Sequence, residues 1–183
     1  MDRHTLVTEH LRLAPITLAD ANRLAVLHAD VRVMDLLRHG VLTRAQSDRM
    51  VADYAAEWPA LGFGSWTLTE KASGALVGLG GLRVHEGDHG IAMRAAFTPE
   101  AQGKGYGSEL GRATVDFAFN VVGLDRVIAI TRRENIAGQR SLEKSGMSFE
   151  RELLGESGRV IFLYALFNPK SGRRNGTGRT TPA

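Results

Sequence analysis

The chain has 183 residues, a length typical of one domain built around a single hydrophobic core. Hydrophobic residues make up 43% of it, no apolar run reaches the ~20 residues that span a bilayer, and the absence of cysteine excludes disulfides, a thiolate nucleophile and a cysteine-ligated metal. The net charge of +3 comes from alternating acidic and basic residues rather than a basic face, so neither a membrane nor a nucleic acid is an expected partner.

The chain begins with a polar segment, then a predicted strand and a helix. Residues 1–5 lack the apolar core of a secretory signal, which favours a cytoplasmic location. Apolar and polar residues alternate over 9–16, the pattern of a half-buried strand. Thr17 is placed to cap a helix over 18–30, with Asp20 as its capping-box partner.

A second helix is expected to follow Thr43, which is a suitable N-cap residue. Apolar side chains recur at helical spacing up to Trp58, and Pro59 and Gly62 are expected to stop the helix. Trp58 and Phe63 have two interpretations, as core residues or as a wall of a substrate groove. Core is favoured because large apolar side chains are usually buried.

Three strands are predicted next, at 63–70, 76–84 and 91–97. The middle strand is rich in glycine, which indicates a bulge or the close approach of another backbone or a ligand; these glycines are Gly78, Gly80 and Gly81. The polar turn 85–90 holds two histidines and two acids. No further ligand pattern accompanies them, so an exposed turn is expected there and no metal site.

The second half is predicted to contain two helices and three strands. These are a helix of about four turns that Gly123 ends, a strand at 125–131, a helix at 135–145, and strands at 147–153 and 160–167. Residues 169–183 are basic and almost without apolar side chains, so a flexible tail is expected beside a domain at 1–168.

Residues 102–108 (QGKGYGS) carry glycines at alternate positions between a strand and a helix. Such a turn offers backbone N–H groups and the positive end of a helix dipole to an anion, and glycine lets the ligand come close. Gln102 and Lys104 are expected to add hydrogen bonds and charge. The pattern fits neither a P-loop, which ends in Gly-Lys-Ser/Thr, nor a dinucleotide fingerprint, which would follow the first strand.

Two segments of this chain, 98–107 (TPEAQGKGYG) and 135–147 (NIAGQRSLEKSGM), resemble motifs of the GCN5-related N-acetyltransferases (GNAT). The resemblance covers roughly residues 8–167, with both motifs at the family's spacing. The form of the motifs in this chain looks like that of the branch that includes the ribosomal-protein alanine acetyltransferases. It implies an α+β fold with a splayed, mostly antiparallel sheet of seven strands flanked by four helices.

The same resemblance implies acetyl-coenzyme A as co-substrate, without a metal. Phe97 and Thr98 would offer main-chain groups to the pantetheine arm, the Phe97 N–H would polarise the thioester carbonyl, and Asn135 would hold the arm. The pyrophosphate would be wrapped by Gln102, Gly103, Lys104, Gly105, Tyr106, Gly107 and Ser108. Tyr106 has two interpretations, as a shield for the phosphates or as apolar filling, and filling is favoured.

Proton transfer is where the chain departs from the family pattern. Relatives place a serine or a tyrosine where this chain has Gly138 and Leu142, so the usual general acid is absent. Ser141 lies nearby as a substitute, and solvent is the alternative. Glu156 loosely matches a base position of the ribosomal-protein branch, although a solvated turn acid is the simpler interpretation.

The resemblance implies an enzyme that transfers an acetyl group to a primary amine by direct attack in a ternary complex. The acceptor would be a protein N-terminus or a small-molecule amine. The alternative is a coenzyme A-binding module with little or no turnover. A homodimer is common in the family, and the last strand is expected to offer a sheet edge for it.

Overall fold

The structure, a computed structural model, describes residues 4–34, 40–85, 87, 89–155 and 158–171. The strands are β1 (Leu6–Val7), β2 (Leu11–Pro15), β3 (Ser65–Glu70), β4 (Leu76–Val84), β5 (Ile91–Phe97), β6 (Arg126–Arg132), β7 (Ser148–Leu154) and β8 (Val160–Phe167). The α-helices are α1 (Ala21–Ala29), α2 (Val31–Met34), α3 (Arg44–Leu61), α4 (Tyr106–Phe117) and α5 (Ile136–Lys144).

All eight strands form one sheet, in the order β1-β2-β3-β4-β5-β6-β8-β7. Neighbours pair antiparallel except β5 and β6, which are parallel and share the single register pair Ala92–Ile128. By contrast, β4 and β5 pair along the length of β5, and β6 and β8 pair over seven residues. The sheet is therefore two antiparallel halves that meet at one point and diverge beyond it, which gives the splayed opening expected from the sequence.

Two hydrophobic cores lie on the two faces of the sheet. One packs beneath α4 and includes Trp66, Leu110 and Phe117. The other packs beneath α1, α2 and α3, with residues such as Leu24, Val51 and Tyr54. Strand β5 contributes to both, because its alternate side chains point to opposite faces: Met93 belongs to the first core and Ala96 to the second.

A small third cluster lies where the two halves meet. Ala92, Ile128, Leu163 and Ala165 pack together and are each at most 4% exposed. Strands β5 and β6 thus pair over a short length, but the side chains at their junction are shielded from solvent. Burial of these side chains holds the halves together where the hydrogen-bond ladder is short.

The predicted fold class is confirmed, with two additions within the described residues. Strand β1 and helix α2 bring the counts to eight strands and five helices instead of seven and four. Leu6–Val7 is too short to show an alternating pattern, and it forms because the chain turns back onto β2. The predicted stop at Pro59 is wrong: α3 runs through it to Leu61 and ends at the left-handed Gly62.

Other predictions about local structure are confirmed. The Asp20 carboxylate accepts from Thr17 N–H at 2.9 Å, and Thr43 and Gln46 cap α3 reciprocally. Trp58 and Phe63 are core residues, 7% and 6% exposed. The glycines of β4 allow close approach of neighbouring strands: a Cβ at Gly78 would lie 2.3 Å from Ala96 O, one at Gly80 2.8 Å from Arg94 O, and one at Gly81 2.2 Å from Gly64 O.

The last strand of the chain does not form a sheet edge, contrary to the sequence-based expectation. β8 lies between β6 and β7, so β7 occupies that edge. Pro169–Ser171 form a short 3₁₀ turn, and the rest of the predicted tail lies outside the described residues. Among the described helices, none is both long and apolar enough to cross a membrane.

Candidate active site

The turn before α4 has the backbone geometry of an anion-binding site. Gly103 (φ 77°) and Gly105 (φ 84°) are left-handed, and a Cβ at either would meet no atom within 4 Å, so conformation rather than space requires glycine. Gly105 is the N-cap of α4, and the first donor back to its carbonyl is Ser108 N–H. The N–H groups of Tyr106 and Gly107 therefore have no helical acceptor and lie at the positive end of the helix dipole.

Gly107 is required for a different reason, which is close packing against α5. A Cβ at Gly107 would lie 2.9 Å from Ser141 Oγ and 3.9 Å from Phe97 Cε2. Ser108, which follows it, is buried. The structure thus brings Phe97, Gly107 and Ser141 together at the end of β5, although they are far apart in sequence.

The hydrogen bonding of β4 and β5 fixes the direction of the Phe97 amide. Thr98 N–H donates to Val77 O at 2.9 Å, so it points toward β4. Successive N–H groups along an extended strand point to opposite sides. The Phe97 N–H therefore points away from β4, toward the side on which β5 and β6 diverge. This is the direction that the predicted role of Phe97 requires, whereas the Thr98 N–H is already bonded within the sheet.

The two polar side chains of the glycine turn contact protein groups. Gln102 Nε2 donates to Phe97 O at 3.4 Å, which links the turn to the end of β5. Lys104 Nζ lies 3.2 Å from Glu70 Oε1, at the end of β3. Both residues lie where the sequence analysis places them, at the turn, but each has a partner from a neighbouring strand.

Tyr106 is a core residue with a hydrogen-bonded hydroxyl. Its side chain is 6% exposed and packs in the core beneath α4, in agreement with the apolar-filling interpretation. Its hydroxyl donates to Glu70, which also accepts from Ser73 Oγ at 2.6 Å. Hydrogen bonds from Ser73, Tyr106 and Lys104 lower the pKa of Glu70 to about 2, and the bond to Glu70 raises the pKa of Tyr106 to about 12.

A second carboxylate anchors the first turn of α4. Glu109 accepts from Thr8 Oγ and from His10 N–H at 2.8 Å, and its other oxygen lies 2.9 Å from His10 Nδ1. The β1–β2 turn is thereby tied to the start of α4. The sequence analysis singled out neither Glu70 nor Glu109, because the contacts of both carboxylates join residues far apart in the sequence and belong to no local motif.

Asn135 caps α5 in this structure. Its Oδ1 accepts from Gly138 N–H at 3.0 Å and its Nδ2 donates to Thr131 Oγ1 at 3.1 Å. A Cβ at Gly138 would lie 2.5 Å from Asn135 Nδ2, which explains why a serine does not fit at this position without moving the cap. Leu142 packs against the core beneath α4.

The two residues predicted for proton transfer differ in placement. Ser141 lies beside Gly107 and Phe97 and is partly exposed. Glu156 lies outside the described residues, so its predicted role is not tested by the structure. Across the described ranges, no three His, Asp, Glu or Cys side chains gather where they could hold a metal ion.

Comparison with known proteins gives consistent matches. The family model for the acetyltransferase (GNAT) domain matches residues 10–148. The uncharacterized N-acetyltransferase YnaD of Bacillus subtilis (strain 168) is 26% identical over 149 residues, which cover 79% of this chain and 83% of that protein.

Solved structures show the same fold at lower identity. A GNAT-family acetyltransferase from Bacillus anthracis superposes with a TM-score of 0.78 at 23% identity, over 90% of this chain and 98% of the other. A ribosomal-protein-S5-alanine acetyltransferase from Vibrio fischeri superposes with a TM-score of 0.76 at 17% identity, over 90% and 97% of the two chains.

Proposed function

Because this chain belongs to the GNAT acetyltransferase family, we propose that it moves an acetyl group from acetyl-coenzyme A to a primary amine by direct attack in a ternary complex. One observation carries the proposal: the Phe97 N–H points toward the side on which β5 and β6 diverge, and the amides that begin α4 have no helical acceptor. These groups supply a donor for a carbonyl and a cradle for a pyrophosphate, the two requirements of this acyl donor.

In this mechanism the amine nitrogen attacks the thioester carbon and the carbon–sulfur bond breaks. The Phe97 N–H stabilises the negative charge that develops on the carbonyl oxygen. The amine loses a proton and the departing thiolate gains one. Ser141, whose Oγ lies 2.9 Å from the Cβ position of Gly107, is the proposed proton donor for the thiolate, and Glu156 remains the proposed base for the amine.

The remaining predicted binding residues have specific tasks in the proposal. The turn 102–108 wraps the pyrophosphate, with Lys104 as its positive charge. Thr98 follows Phe97 along the pantetheine arm. Asn135 holds that arm at the start of α5, which requires it to share or exchange one of its bonds to Thr131 and Gly138.

The acceptor class is drawn from the relatives. One structural neighbour is a ribosomal-protein alanine acetyltransferase, so a protein N-terminus is one proposed acceptor and a small-molecule amine is the other. The proposal assigns no step to a metal or a nucleic acid. We place the activity in the cytoplasm, with β7 as the edge available to a homodimer.

Substitution of Gly105 tests the proposal. Gly105→Val forces the left-handed N-cap of α4 out of its conformation and is expected to abolish binding of acetyl-coenzyme A in a calorimetric titration. Gly123→Val is the matched control, because Gly123 is also left-handed (φ 80°) and has open space around its Cβ position. It ends the π-helical turn Ala118–Val122, which continues α4 away from the glycine turn. Undiminished affinity in the Gly105 variant would contradict the proposal.

A second candidate function is a coenzyme A-binding module with little turnover, which Gly138 and Leu142 favour because they occupy the usual proton-donor positions. Release of free thiol from acetyl-coenzyme A separates the two. Amine-dependent release with any member of a broad panel of peptides and small amines would exclude the module. Binding without release across the panel would support it.

A further inference from the structure

An ionised carboxylate lies beside the turn that is proposed to bind a pyrophosphate. Glu70 is the last residue of β3, and its side chain is 18% exposed. On charge alone, a carboxylate at an anion site weakens binding through repulsion. The position of Glu70 therefore needs an explanation from its contacts.

The contacts of Glu70 reach both sides of the N-cap of α4. Its Oε1 accepts from the Tyr106 hydroxyl and lies 3.2 Å from Lys104 Nζ, while Ser73 Oγ donates to Oε2 at 2.6 Å. Lys104 and Tyr106 flank Gly105, so one carboxylate oxygen holds the residues immediately before and after the left-handed turn. Ser73 fixes the orientation of the carboxylate itself.

We propose that Glu70 is a positioning residue for acetyl-coenzyme A. Through Lys104 and Tyr106 it holds the turn at Gly105 so that the amides that begin α4 face the pyrophosphate. The inference rests on the proposed function and adds to it a residue from β3. The low pKa of Glu70 agrees with it, since the carboxylate stays charged at neutral pH.

The competing explanation is that Glu70 only stabilises the fold. Glu109 provides the comparison, because it also anchors the first turn of α4 but binds Thr8 and His10 instead of residues of the glycine turn. A purely structural role predicts that losing either carboxylate lowers the melting temperature without a specific effect on the co-substrate. A positioning role predicts that loss of Glu70, but not loss of Glu109, weakens binding of the co-substrate.

The test measures calorimetric affinity for coenzyme A, and the KM for acetyl-coenzyme A and for the amine, in folded variants. Glu70→Ala is expected to weaken coenzyme A binding by about tenfold or more, the loss typical of a charge-assisted hydrogen bond. The KM for acetyl-coenzyme A should rise in parallel, with the KM for the amine unchanged. Glu109→Ala should leave both constants near wild type.

A double-substitution cycle tests whether Glu70 acts through Tyr106. Tyr106→Phe removes the charge-assisted hydrogen bond to the ionised Glu70, so it is expected to weaken binding by up to about tenfold and to add little in the Glu70→Ala background. If the fold-changes of the two single substitutions multiply in the double variant, the two residues act independently and the inference is overturned. An affinity of the Glu70→Ala variant equal to wild type would also overturn it.

Glu70→Gln keeps the test decisive if the alanine variant fails to fold. Glutamine preserves the shape and still accepts from Tyr106, but it cannot form an ion pair with Lys104, so weaker binding is expected. Tighter binding would show that the carboxylate only repels the phosphates and would refute positioning. If the wild-type protein itself does not bind coenzyme A, the proposed function fails. If the wild-type protein binds coenzyme A and the Glu70 variants bind it equally well, this inference alone fails.

Discussion

Replacing Gly111 by alanine is expected to destabilise the protein, although alanine is the better helix former. A Cβ at Gly111 would lie 1.9 Å from Ser145 Oγ and 2.8 Å from Ser145 Cβ. Ser145 is buried and its hydroxyl donates to Ser141 O at 2.7 Å, so it has little room to move. Overpacking costs ~1–3 kcal/mol, and removing a helical glycine gains about 1 kcal/mol. The net loss is therefore up to about 2 kcal/mol, or up to ~8 °C in melting temperature.

Urea unfolding followed by circular dichroism measures this loss, provided that the transition is reversible and the slope is unchanged. Combining Gly111→Ala with Ser145→Gly removes both clashing atoms and should recover most of the stability. Ser145→Gly alone is the matched control for the lost hydroxyl. A Gly111→Ala variant more stable than wild type would refute the reasoning, since it would mean that only helix propensity matters at this contact between α4 and α5.

Three further predictions concern stability. Burial lowers the pKa of His28, so the unfolded state binds its proton more readily, and stability should fall as the pH drops below 6.5; His28→Gln should flatten this slope in urea titrations between about pH 5 and 8. The pKa of Glu70 is lowered from 4.5 to about 2, so its contribution to the free energy of unfolding should be lost as the pH falls from about 4.5 to about 2. If Glu70→Gln leaves the loss of stability in acid unchanged, this prediction is wrong. Thr43→Ala should cost about 1 kcal/mol by removing the cap of α3, whereas Thr43→Ser should not.

Local signals in the sequence predict most of the elements because those elements depend on near neighbours. The capping pair Thr17 and Asp20 and the helix-ending Gly123 are examples. The predicted stop at Pro59 is wrong for a physical reason: packing can outweigh a broken helical hydrogen bond. Trp58 is buried and its indole donates to Ser65 O at 2.9 Å, which holds the last turn of α3 in place around the proline.

The order of the strands was not predictable in the same way. β8 lies between β6 and β7 because of contacts across the sheet, and nothing in residues 147–167 alone distinguishes this order from one with β8 at the edge. The pairing follows from burial: Leu163 and Ala165 pack with Ala92 and Ile128 at the junction of the two halves. Such contacts join residues about 35 to 73 positions apart, beyond the reach of periodicity.

For the candidate site, the sequence predicts the backbone well and the side-chain partners poorly. The left-handed Gly103 and Gly105 follow from the glycine pattern itself. The partners of Lys104 and Tyr106 come from β3, so their identity depends on the tertiary fold. Asn135 illustrates a related difficulty, because the same amide that can hold a ligand is also a good helix cap, and sequence alone does not rank the two uses.

The single β5–β6 pair also bears on how the chain assembles during synthesis. Strands β2 to β5 each pair with the strand made just before, so this half can form its ladder as it leaves the ribosome. The other half cannot, because β6 has no antiparallel neighbour until β8, the last strand, has been made. Until then the edge of β6 that β8 will occupy is an unpaired template for other chains. The last strand thus enters the sheet between β6 and β7 and does not add to its outer edge.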